Sequence, residues 1–423
     1  FARYSVDDRW LVPHFEKMLY DNALLARVYL RAWQVTGAPS MLKTARETLD
    51  YLGRDMADST GGLHSAEDAD AGGREGAFAV WTWAELADVL GSDRDLAAAI
   101  YGATPEGNFD GANILHLPEP LHDVSARLGT DAEALGAAKH RIDERLRERR
   151  SDRERPGRDD KIVTAWNGLA LRAFAEAAAI LGDEGYLATA HGIAEFLTGP
   201  AWNDGRIRRS WRRGTPGPNG FCDDYAATAL GLFALYQATG EERWYQLAEE
   251  ATRTMIRLFA DDTGGFYATA SDGERLITRP KNVHDNPTPS DNALAAEALA
   301  VLAAYTGDAD LSRMVEDAVR SIGTSLSMNP GAHGHALGVW LANPIREVAV
   351  VGRSAERRPF IKAVWEGFRP DVVVAEGDGE AADVPLLVGR TPGEGARAYV
   401  CRGFVCDLPA ESPTALRSQL GSS

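Results

Sequence analysis

The chain has 423 residues, with 45 Lys and Arg against 62 Asp and Glu, so its formal charge is −17. A chain this negative lacks the clustered Lys and Arg that bind nucleic-acid phosphates or an anionic membrane. Hydrophobic residues make up 44% and charged residues 25%, which are the proportions of a globular protein. Composition therefore excludes a disordered, collagen-like or disulfide-scaffold chain, and it predicts neither a nucleic-acid nor a membrane partner.

Three further features concern location and completeness. Three cysteines are too few for a secreted disulfide framework, so we predict a cytoplasmic protein. No window of 18 consecutive residues is apolar, so no segment is expected to span a bilayer. The sequence begins at Phe1 without a signal peptide, and we expect that an upstream region is missing.

Helical periodicity dominates the sequence up to about Asn343. Some helical segments are apolar on every face and must be buried on every face: residues 161–181, 224–238 and 292–305. Amphipathic segments alternate with them: residues 186–197, 242–259 and 311–326. Alternation of buried and half-buried helices predicts an inner ring wrapped by an outer ring, an (α/α)6 barrel over residues 1–343. The six inner helices are expected to begin near His14, Trp81, Lys161, Phe221, Pro289 and His333.

A repeat supports this architecture. Glycine turns at residues 58–63, 202–206 and 261–266 follow outer helices. The openings of the inner helices also resemble one another: residues 20–23, 165–168, 223–226 and 290–293.

From Ile345 the composition changes to short apolar runs typical of buried strands, at residues 347–352 and 371–375, around a helical segment at 356–366. Further strands are expected at 384–388 and 398–401. We predict a small α/β subdomain over residues 344–423. Cys401 and Cys406 are separated by four residues instead of the two of a redox motif, which favours two buried structural thiols.

Four polar loops are candidates for a site, because a helical barrel binds ligands at a mouth formed by helix starts. In residues 4–22, His14 is a candidate general base or sugar partner, or else part of a helix-start cap. In residues 64–76, Asp68 and Asp70 lie close to Glu67. Such a group suits a cation or a raised-pKa acid, or is a solvated loop without the EF-hand pattern.

The other two loops precede later inner helices. Asp223 and Asp224 stand at a helix start, where one cap explains only one aspartate. Residues 278–292 combine three prolines with both charge signs, which favours a ligand-contacting loop. His333 and His335 do not have zinc-site spacing, and neither a phosphate loop nor a nucleophile elbow is present, so no metal and no cofactor are predicted.

The same residues resemble the YyaL-like family, which includes the spermatogenesis-associated thioredoxin-like proteins. The matching segments are 1–22, 65–70, 108–113, 160–168, 223–225, 279–292 and 401–406. The resemblance implies an upstream thioredoxin-like domain and a helical part similar to six-hairpin glycosidases and to N-acylglucosamine and cellobiose 2-epimerases.

The leading hypothesis is a carbohydrate-active barrel, either a sugar epimerase or isomerase or a glycoside hydrolase, acting on a mono- or disaccharide at the mouth. The alternative is a non-catalytic binding or scaffold module of a protein containing a thioredoxin domain. Candidate catalytic residues are His14, Asp21, Asp68, Asp70, Asp224 and Asp285. Candidate substrate-binding residues are Arg3, Tyr4, Glu16, Asn22, Trp166, Asn167, Tyr225, Arg279, Lys281, His284 and Asn292. For hydrolysis two carboxylates flank the bond; for epimerisation His14 or His284 removes a proton.

Overall fold

A computed structural model describes residues 1–274, 277–379 and 383–421. Its helices are α1 Leu19–Thr36, α2 Pro39–Asp55, α3 Trp83–Leu90, α4 Arg94–Tyr101, α5 Leu121–Leu128, α6 Ala132–Ser151, α7 Thr164–Leu181, α8 Glu184–Thr198, α9 Cys222–Thr239, α10 Glu242–Phe259, α11 Asp291–Thr306, α12 Ala309–Ser321, α13 Gly323–Met328, α14 Gly334–Ala342, α15 Ser354–Trp365 and α16 Pro413–Leu420. Its strands are β1 Lys17–Met18, β2 Ala66–Glu67, β3 Asp70–Ala71, β4 Arg74–Glu75, β5 Arg158–Asp159, β6 Ile162–Val163, β7 Trp202–Asn203, β8 Arg206–Ile207, β9 Ser210–Arg212, β10 Thr215–Pro216, β11 Arg346–Val351, β12 Val372–Gly377, β13 Arg397–Arg402 and β14 Val405–Cys406.

The predicted fold class, mainly α with a small α/β part, is confirmed. Each of the six predicted inner-helix starts lies within about five residues of an observed helix start, at α1, α3, α7, α9, α11 and α14. Exact ends differ because a cap or turn, rather than the apolar pattern, decides where a helix begins. The chain forms two compact units, and the predicted boundary between residues 343 and 344 stays a prediction.

One unit contains residues 1–18 and 66–159. In this unit β1, β2 and β5 form a short antiparallel sheet, and α3 to α6 pack around a core that includes Trp81, Leu86 and Ile142. Thr82 and Glu85 form a capping box at the start of α3, so two backbone donors at that helix start are satisfied reciprocally.

The other unit contains residues 19–65 and 160–423, and its inner helices are neighbours in chain order: α1 packs on α7, α7 on α9, α9 on α11, and α11 on α14. The closest of these contacts needs glycine. A Cβ on Gly168 of α7 would lie 2.5 Å from the backbone of Ala227 in α9, so any larger residue would push the two helices apart. The outer helices α2, α8, α10 and α12 each follow an inner helix and pack against it, as the alternation predicted.

The α/β subdomain belongs to this second unit. Its sheet has the order β12–β11–β13–β14, with β11 parallel to β12 and antiparallel to β13. The edge strand β12 is covered by helix side chains, because the Tyr305 hydroxyl donates to the Val374 carbonyl (2.9 Å) and the Val374 N–H donates to Gln237 Oε1 (3.2 Å). A paired edge is protected from other strands.

Cys401 and Cys406 lie opposite each other on β13 and β14 and form a disulfide. The prediction of two thiols was therefore wrong, because the four intervening residues make a hairpin that brings the two sulfur atoms together. Arg390 Nη2 lies 3.4 Å from one sulfur and 3.3 Å from the other.

Candidate functional site

The predicted residues of the first loop form one cluster in the unit of residues 1–18 and 66–159. Arg3 Nη1 lies 3.3 Å from Glu16 Oε2, and His14 Nδ1 lies 3.9 Å from the same oxygen. The rings of Tyr4 and His14 are 4.8 Å apart. The structure thus brings these four candidate residues together on a partly exposed surface, and their predicted roles stay predictions.

The acidic loop of the same unit places Glu67 and Asp68, but not Asp70, in the lining of one cavity. Asp70 belongs to β3, where its backbone pairs with that of Glu75, and the cavity has a volume of about 420 Å³. Among the described residues no group of three His, Cys, Asp or Glu side chains is arranged to hold a metal ion.

Asn167 and Asn292, near the starts of inner helices α7 and α11, each act as a clamp: the side-chain amide makes two hydrogen bonds to the backbone of one residue in a preceding turn. Asn167 Oδ1 accepts from the Leu63 N–H (2.7 Å) while its Nδ2 donates to the Leu63 carbonyl (2.9 Å). Asn292 holds Phe266 in the same way, at 2.7 and 2.9 Å. Both side chains are buried, which corrects their predicted role in substrate binding. At these two helix openings the asparagine fixes the end of the preceding glycine turn.

Asp224 is also a structural residue. Its carboxylate accepts from the backbone N–H groups of Ala165 (2.9 Å) and Phe221 (2.8 Å) and pairs with Arg209 at 3.1 Å. The side chain is fully buried, and burial raises its pKa. Its predicted catalytic role is corrected, because no reactant reaches a carboxylate surrounded by these donors.

Tyr225 is fully buried as well, and its hydroxyl accepts from the Ile207 N–H at 3.1 Å. A ring without exposed surface does not stack on a sugar, so this prediction was wrong. Asn22 is buried, Asp21 lies in the first turn of α1, and Trp166 makes an edge contact with Tyr20 at 4.8 Å.

One more carboxylate at these helix starts is perturbed. Asp291 is buried and accepts from Asn282 Nδ2 at 2.8 Å. Burial, together with the neighbouring Asp223 carboxylate, raises the pKa of Asp291 to about 7. Asp223 itself is paired with Arg209 at 2.6 Å.

The loop of residues 278–292 supports other residues. Arg279 Nη2 donates to the carbonyls of Leu258 (3.3 Å) and Thr269 (2.5 Å), and Lys281 Nζ donates to the Gly264 carbonyl (2.7 Å). These cations bind the backbone of the preceding turn and remain partly exposed, so their predicted role in holding substrate stays a prediction. His284 Nε2 lies 3.1 Å from Ser325 Oγ on the exposed surface.

Asp285 connects this loop to a residue that the sequence analysis set aside. One of its oxygens accepts from the Ser290 N–H (2.9 Å) and the other from the His335 N–H (2.8 Å). Asp285 thereby fixes the start of α14 and the position of the His335 side chain.

His335 lines a cavity of about 560 Å³ in the second unit. Inner helices α1, α7, α11 and α14 form one side of this cavity, and α15, β12 and the segment between them form the other. The volume is within the range of small-molecule sites. His335 Nε2 lies 2.8 Å from Glu297 Oε2, and both side chains retain about a fifth of their surface exposed.

A chain of ion pairs extends from this dyad. Arg172 bridges Glu297 (2.6 Å) and Glu176 (3.1 Å), and Glu176 also binds Arg27 and Arg31, each at 2.8 Å. Burial opposes the ionisation of Glu297, but Arg172 and His335 hold its pKa well below its ordinary value. Both cavity glutamates are therefore fixed as carboxylates.

The sequence analysis missed this cavity, although two signals were present. Arg172 and Glu176 are four residues apart in a helix that is otherwise apolar on every face, and Glu297 interrupts a second such helix. Charged residues inside buried helices are stable only when paired, so they mark a polar interior.

No family model matches the chain. Human spermatogenesis-associated protein 20 is 31% identical over 468 residues, covering 99% of this chain and 60% of the human protein. The mouse protein of the same name is 30% identical over 468 residues, and the match covers 99% of this chain and 59% of the mouse protein.

The chain is a homologue of spermatogenesis-associated protein 20. The family resemblance predicted from the sequence is thereby confirmed. The chain spans about 60% of the length of these curated relatives, so the activity and partners of the whole protein are a matter of proposal.

Two solved structures are similar to this chain at low identity. Cellobiose 2-epimerase from Spirochaeta thermophila DSM 6192 is 12% identical with a TM-score of 0.45, covering 78% of this chain and 65% of its own. A sugar epimerase from a ruminal bacterium is 12% identical with a TM-score of 0.40, and the match covers 76% of this chain and 79% of the epimerase. Within the described ranges no helix is long and apolar enough to cross a membrane.

Proposed function

We propose that the chain is a carbohydrate-active enzyme, specifically an aldose–ketose isomerase, that uses His335 as its proton-transferring base. The observation that carries this proposal is the 2.8 Å contact between His335 Nε2 and Glu297 Oε2 inside the 560 Å³ cavity. Because Glu297 is a carboxylate, Nε2 is the nitrogen that bears the proton, and the lone pair is on Nδ1.

His335 Nδ1 makes no hydrogen bond to any residue that the structure describes, so its lone pair is available to a bound molecule. Removal of a C2 proton from an open-chain sugar is a reaction for a neutral imidazole at neutral pH. The negative charge then develops on the adjacent carbonyl oxygen, and the Arg172 and Arg27 guanidinium groups line the same cavity.

Isomerisation is favoured over 2-epimerisation by the number of bases. Epimerisation returns a proton to the opposite face of C2 and needs a second proton donor there. His335 is the one histidine among the described residues lining this cavity, and both glutamates are held as carboxylates by arginines. A single base suffices to carry a proton from C2 to C1 on one face, while the proton of the 2-hydroxyl passes to the adjacent O1 oxyanion, so that O2 becomes the ketose carbonyl and O1 its hydroxyl.

Glycoside hydrolysis is less favoured. It needs one carboxyl group with a raised pKa beside a carboxylate, whereas the pKa values of Glu176 and Glu297 are both lowered by arginines. The pKa values of Asp224 and Asp291 are raised, but these carboxyls are buried at helix starts and bound by donors. The pKa values of Glu242 and Glu347 are raised as well, and neither residue lines the cavity. A cytoplasmic location and an upstream thioredoxin-like domain remain proposals from the sequence.

The experiment is proton NMR of aldoses incubated with the chain in D₂O. We expect deuterium at C2 of the aldose and new ketose signals, without the C2 epimer as first product. His335→Asn should abolish exchange. The matched control is His191→Asn, which removes a histidine of another His–Glu pair (3.5 Å to Glu241) on outer helix α8. Unchanged exchange in His335→Asn, or an unchanged spectrum with every aldose, would contradict the proposal and favour a binding module.

A further inference from the structure

The cavity that holds His335 is cationic, although the whole chain carries a charge of −17. Four arginines line it against two glutamates, an excess of two positive charges before the histidine is counted. These arginines are Arg27, Arg31, Arg172 and Arg369. A positively charged cavity in an acidic protein concentrates anions.

The two glutamates do not use up the donors of these arginines. The oxygens of Glu176 are bound by Arg172 Nε, Arg27 Nε and Arg31, and those of Glu297 by Arg172 and His335. Each oxygen of the two glutamates thus already accepts from at least one arginine or histidine nitrogen. The terminal nitrogens of Arg27, by contrast, donate no hydrogen bond to any described residue, and the side chain is 28% exposed.

The opposite wall of the cavity also has unused donors. Trp365 is more than nine-tenths buried, and its Nε1 has no hydrogen-bond partner among the described residues. The buried Nε of Arg369 lacks a partner in the same sense. A buried donor without an acceptor costs free energy, so this wall, like the arginine wall, has donors that the described residues do not satisfy. Donors in excess on both walls favour a ligand rich in acceptor oxygens.

The arginines also repel one another. Burial lowers the pKa of Arg31, and Arg27 and Arg172 lower it further, although Glu176 opposes them. An anion would relieve this crowding. The rest of the wall is apolar and includes Val301, Val339 and Phe368, which suits the C–H faces of a sugar and does not suit a bare inorganic ion.

We propose that the cavity binds a sugar that carries an anionic group, a phosphate or a carboxylate, with the Arg27 guanidinium as its main contact. This inference deepens the proposed function and rests on it, because it names the substrate class of the same site. Arginine is suited to this role since its planar fork donates two parallel hydrogen bonds to an oxyanion.

The test is isothermal titration of the full chain with a hexose phosphate, the corresponding hexuronate and the neutral hexose, at low and at high ionic strength. We expect at least one anionic sugar to bind about tenfold or more tightly than the neutral hexose, since hydrogen bonds to charged groups contribute that much. Added salt should weaken the binding of the anionic sugar and leave the binding of the neutral sugar unchanged. Which of the two anions binds more tightly identifies phosphate or carboxylate as the group recognised.

Arg27→Gln should raise the dissociation constant of the anionic sugar about tenfold or more. Glu176 is still paired with Arg31 and Arg172 in this variant, so the variant is expected to fold. Arg27→Lys retains the positive charge but cannot donate two parallel hydrogen bonds, so its dissociation constant should lie between those of the parent and Arg27→Gln. If Arg27→Gln does not fold, Arg27→Lys provides the test in its place. Arg313→Gln, on exposed α12, is the control and should bind like the parent.

Equal binding of neutral and anionic sugars, or no binding of either anion, would overturn the inference. Deuterium exchange separates it from the proposed function. Anion binding without exchange at C2 overturns the isomerase and leaves the ligand class in place. Exchange on the neutral hexose as fast as on both anionic sugars overturns the ligand class and leaves the isomerase in place.

Discussion

The carboxylate of Asp285 accepts a 2.8 Å hydrogen bond from the backbone N–H of His335, fifty residues further along the chain. Its other oxygen accepts from the Ser290 N–H, one residue before α11, the helix that supplies Glu297. A single side chain therefore sets the relative position of the two helices that carry the His335–Glu297 dyad.

Asp285→Ala should lower the rate of C2 exchange about tenfold or more while the affinity for the anionic sugar changes little. The reason is positional, since misplacement of a catalytic group by an ångström costs rate more than binding. Asp285→Asn should retain part of the rate, because its amide oxygen replaces one of the two acceptors. Exchange measured by NMR beside titration of binding checks this; equal losses in both would indicate general unfolding of the site.

Glu297→Gln should reduce C2 exchange by about 100-fold or more, the usual contribution of acid–base catalysis. Glutamine offers a neutral amide in place of the carboxylate, so it no longer selects the His335 tautomer with a free Nδ1. The pH–rate profile of the variant is the measurement that separates this cause from lost packing. A variant with the parent's rate would show that the dyad is structural.

Asp224→Ala should lower the free energy of unfolding by about 3 kcal/mol or more. The substitution leaves two buried backbone N–H groups without their acceptor and removes one of the two carboxylates that pair with Arg209, and breaking a buried ion pair typically costs that much. Urea denaturation checks it, with Asp310→Ala on exposed α12 as the matched control. Parent-like stability combined with lost turnover would return Asp224 to the catalytic role that the sequence predicted.

The stability of the second unit should fall in acid, because Glu176 must be charged. Burial opposes its ionisation, but Arg27, Arg31 and Arg172 together lower its pKa below the ordinary 4.5. A lowered folded-state pKa contributes stability that is complete above the unfolded pKa and is lost as pH falls. The free energy of unfolding should therefore decline below about pH 4.5.

Glu176→Gln is the control for this pH dependence. It should be less stable than the parent at neutral pH, since three arginines lose part of their compensation, and its stability should change less between neutral and acid pH. If the difference in free energy of unfolding between variant and parent did not become smaller in acid, the charged state of Glu176 would not be the cause of the pH dependence.

Reduction of the Cys401–Cys406 disulfide should lower stability by about 2 kcal/mol, the loop-closure value for a loop this short. Urea denaturation with and without a thiol reductant measures it. The Cys401→Ser, Cys406→Ser double variant should not respond to the reductant, which separates the disulfide from the buried free thiol of Cys222.

The sequence was informative about helices because burial is periodic. The segments that are apolar on every face became α7, α9 and α11, and their starts were predicted closely. The site was harder to predict. Asn167 and Asn292 stand where a ligand-binding side chain would stand, and only their hydrogen bonds to Leu63 and Phe266 reveal them as clamps.

The cavity dyad could not be read from spacing at all. His335 and Glu297 are 38 residues apart on different helices, and His335 was judged only as a zinc ligand. Polar residues in buried helices were a usable signal, but pairing among them is a property of the tertiary fold. Arg3, Tyr4, His14 and Glu16, which the sequence marked only as separate candidates, lie together in the structure, and their roles stay predictions.

The edge strand β12 is held by Tyr305 and Gln237, and the residues around it, from Trp365 to Val374, form one wall of the cavity. The α/β subdomain, called the tail below, thus forms one of the two walls of the cavity, even though its composition sets it apart from the helices. A chimera that joins these helices to the tail of a relative would exchange that wall, and with it the shape of the molecule that fits. Tail and helices should therefore be inherited together in variants that keep the same ligand.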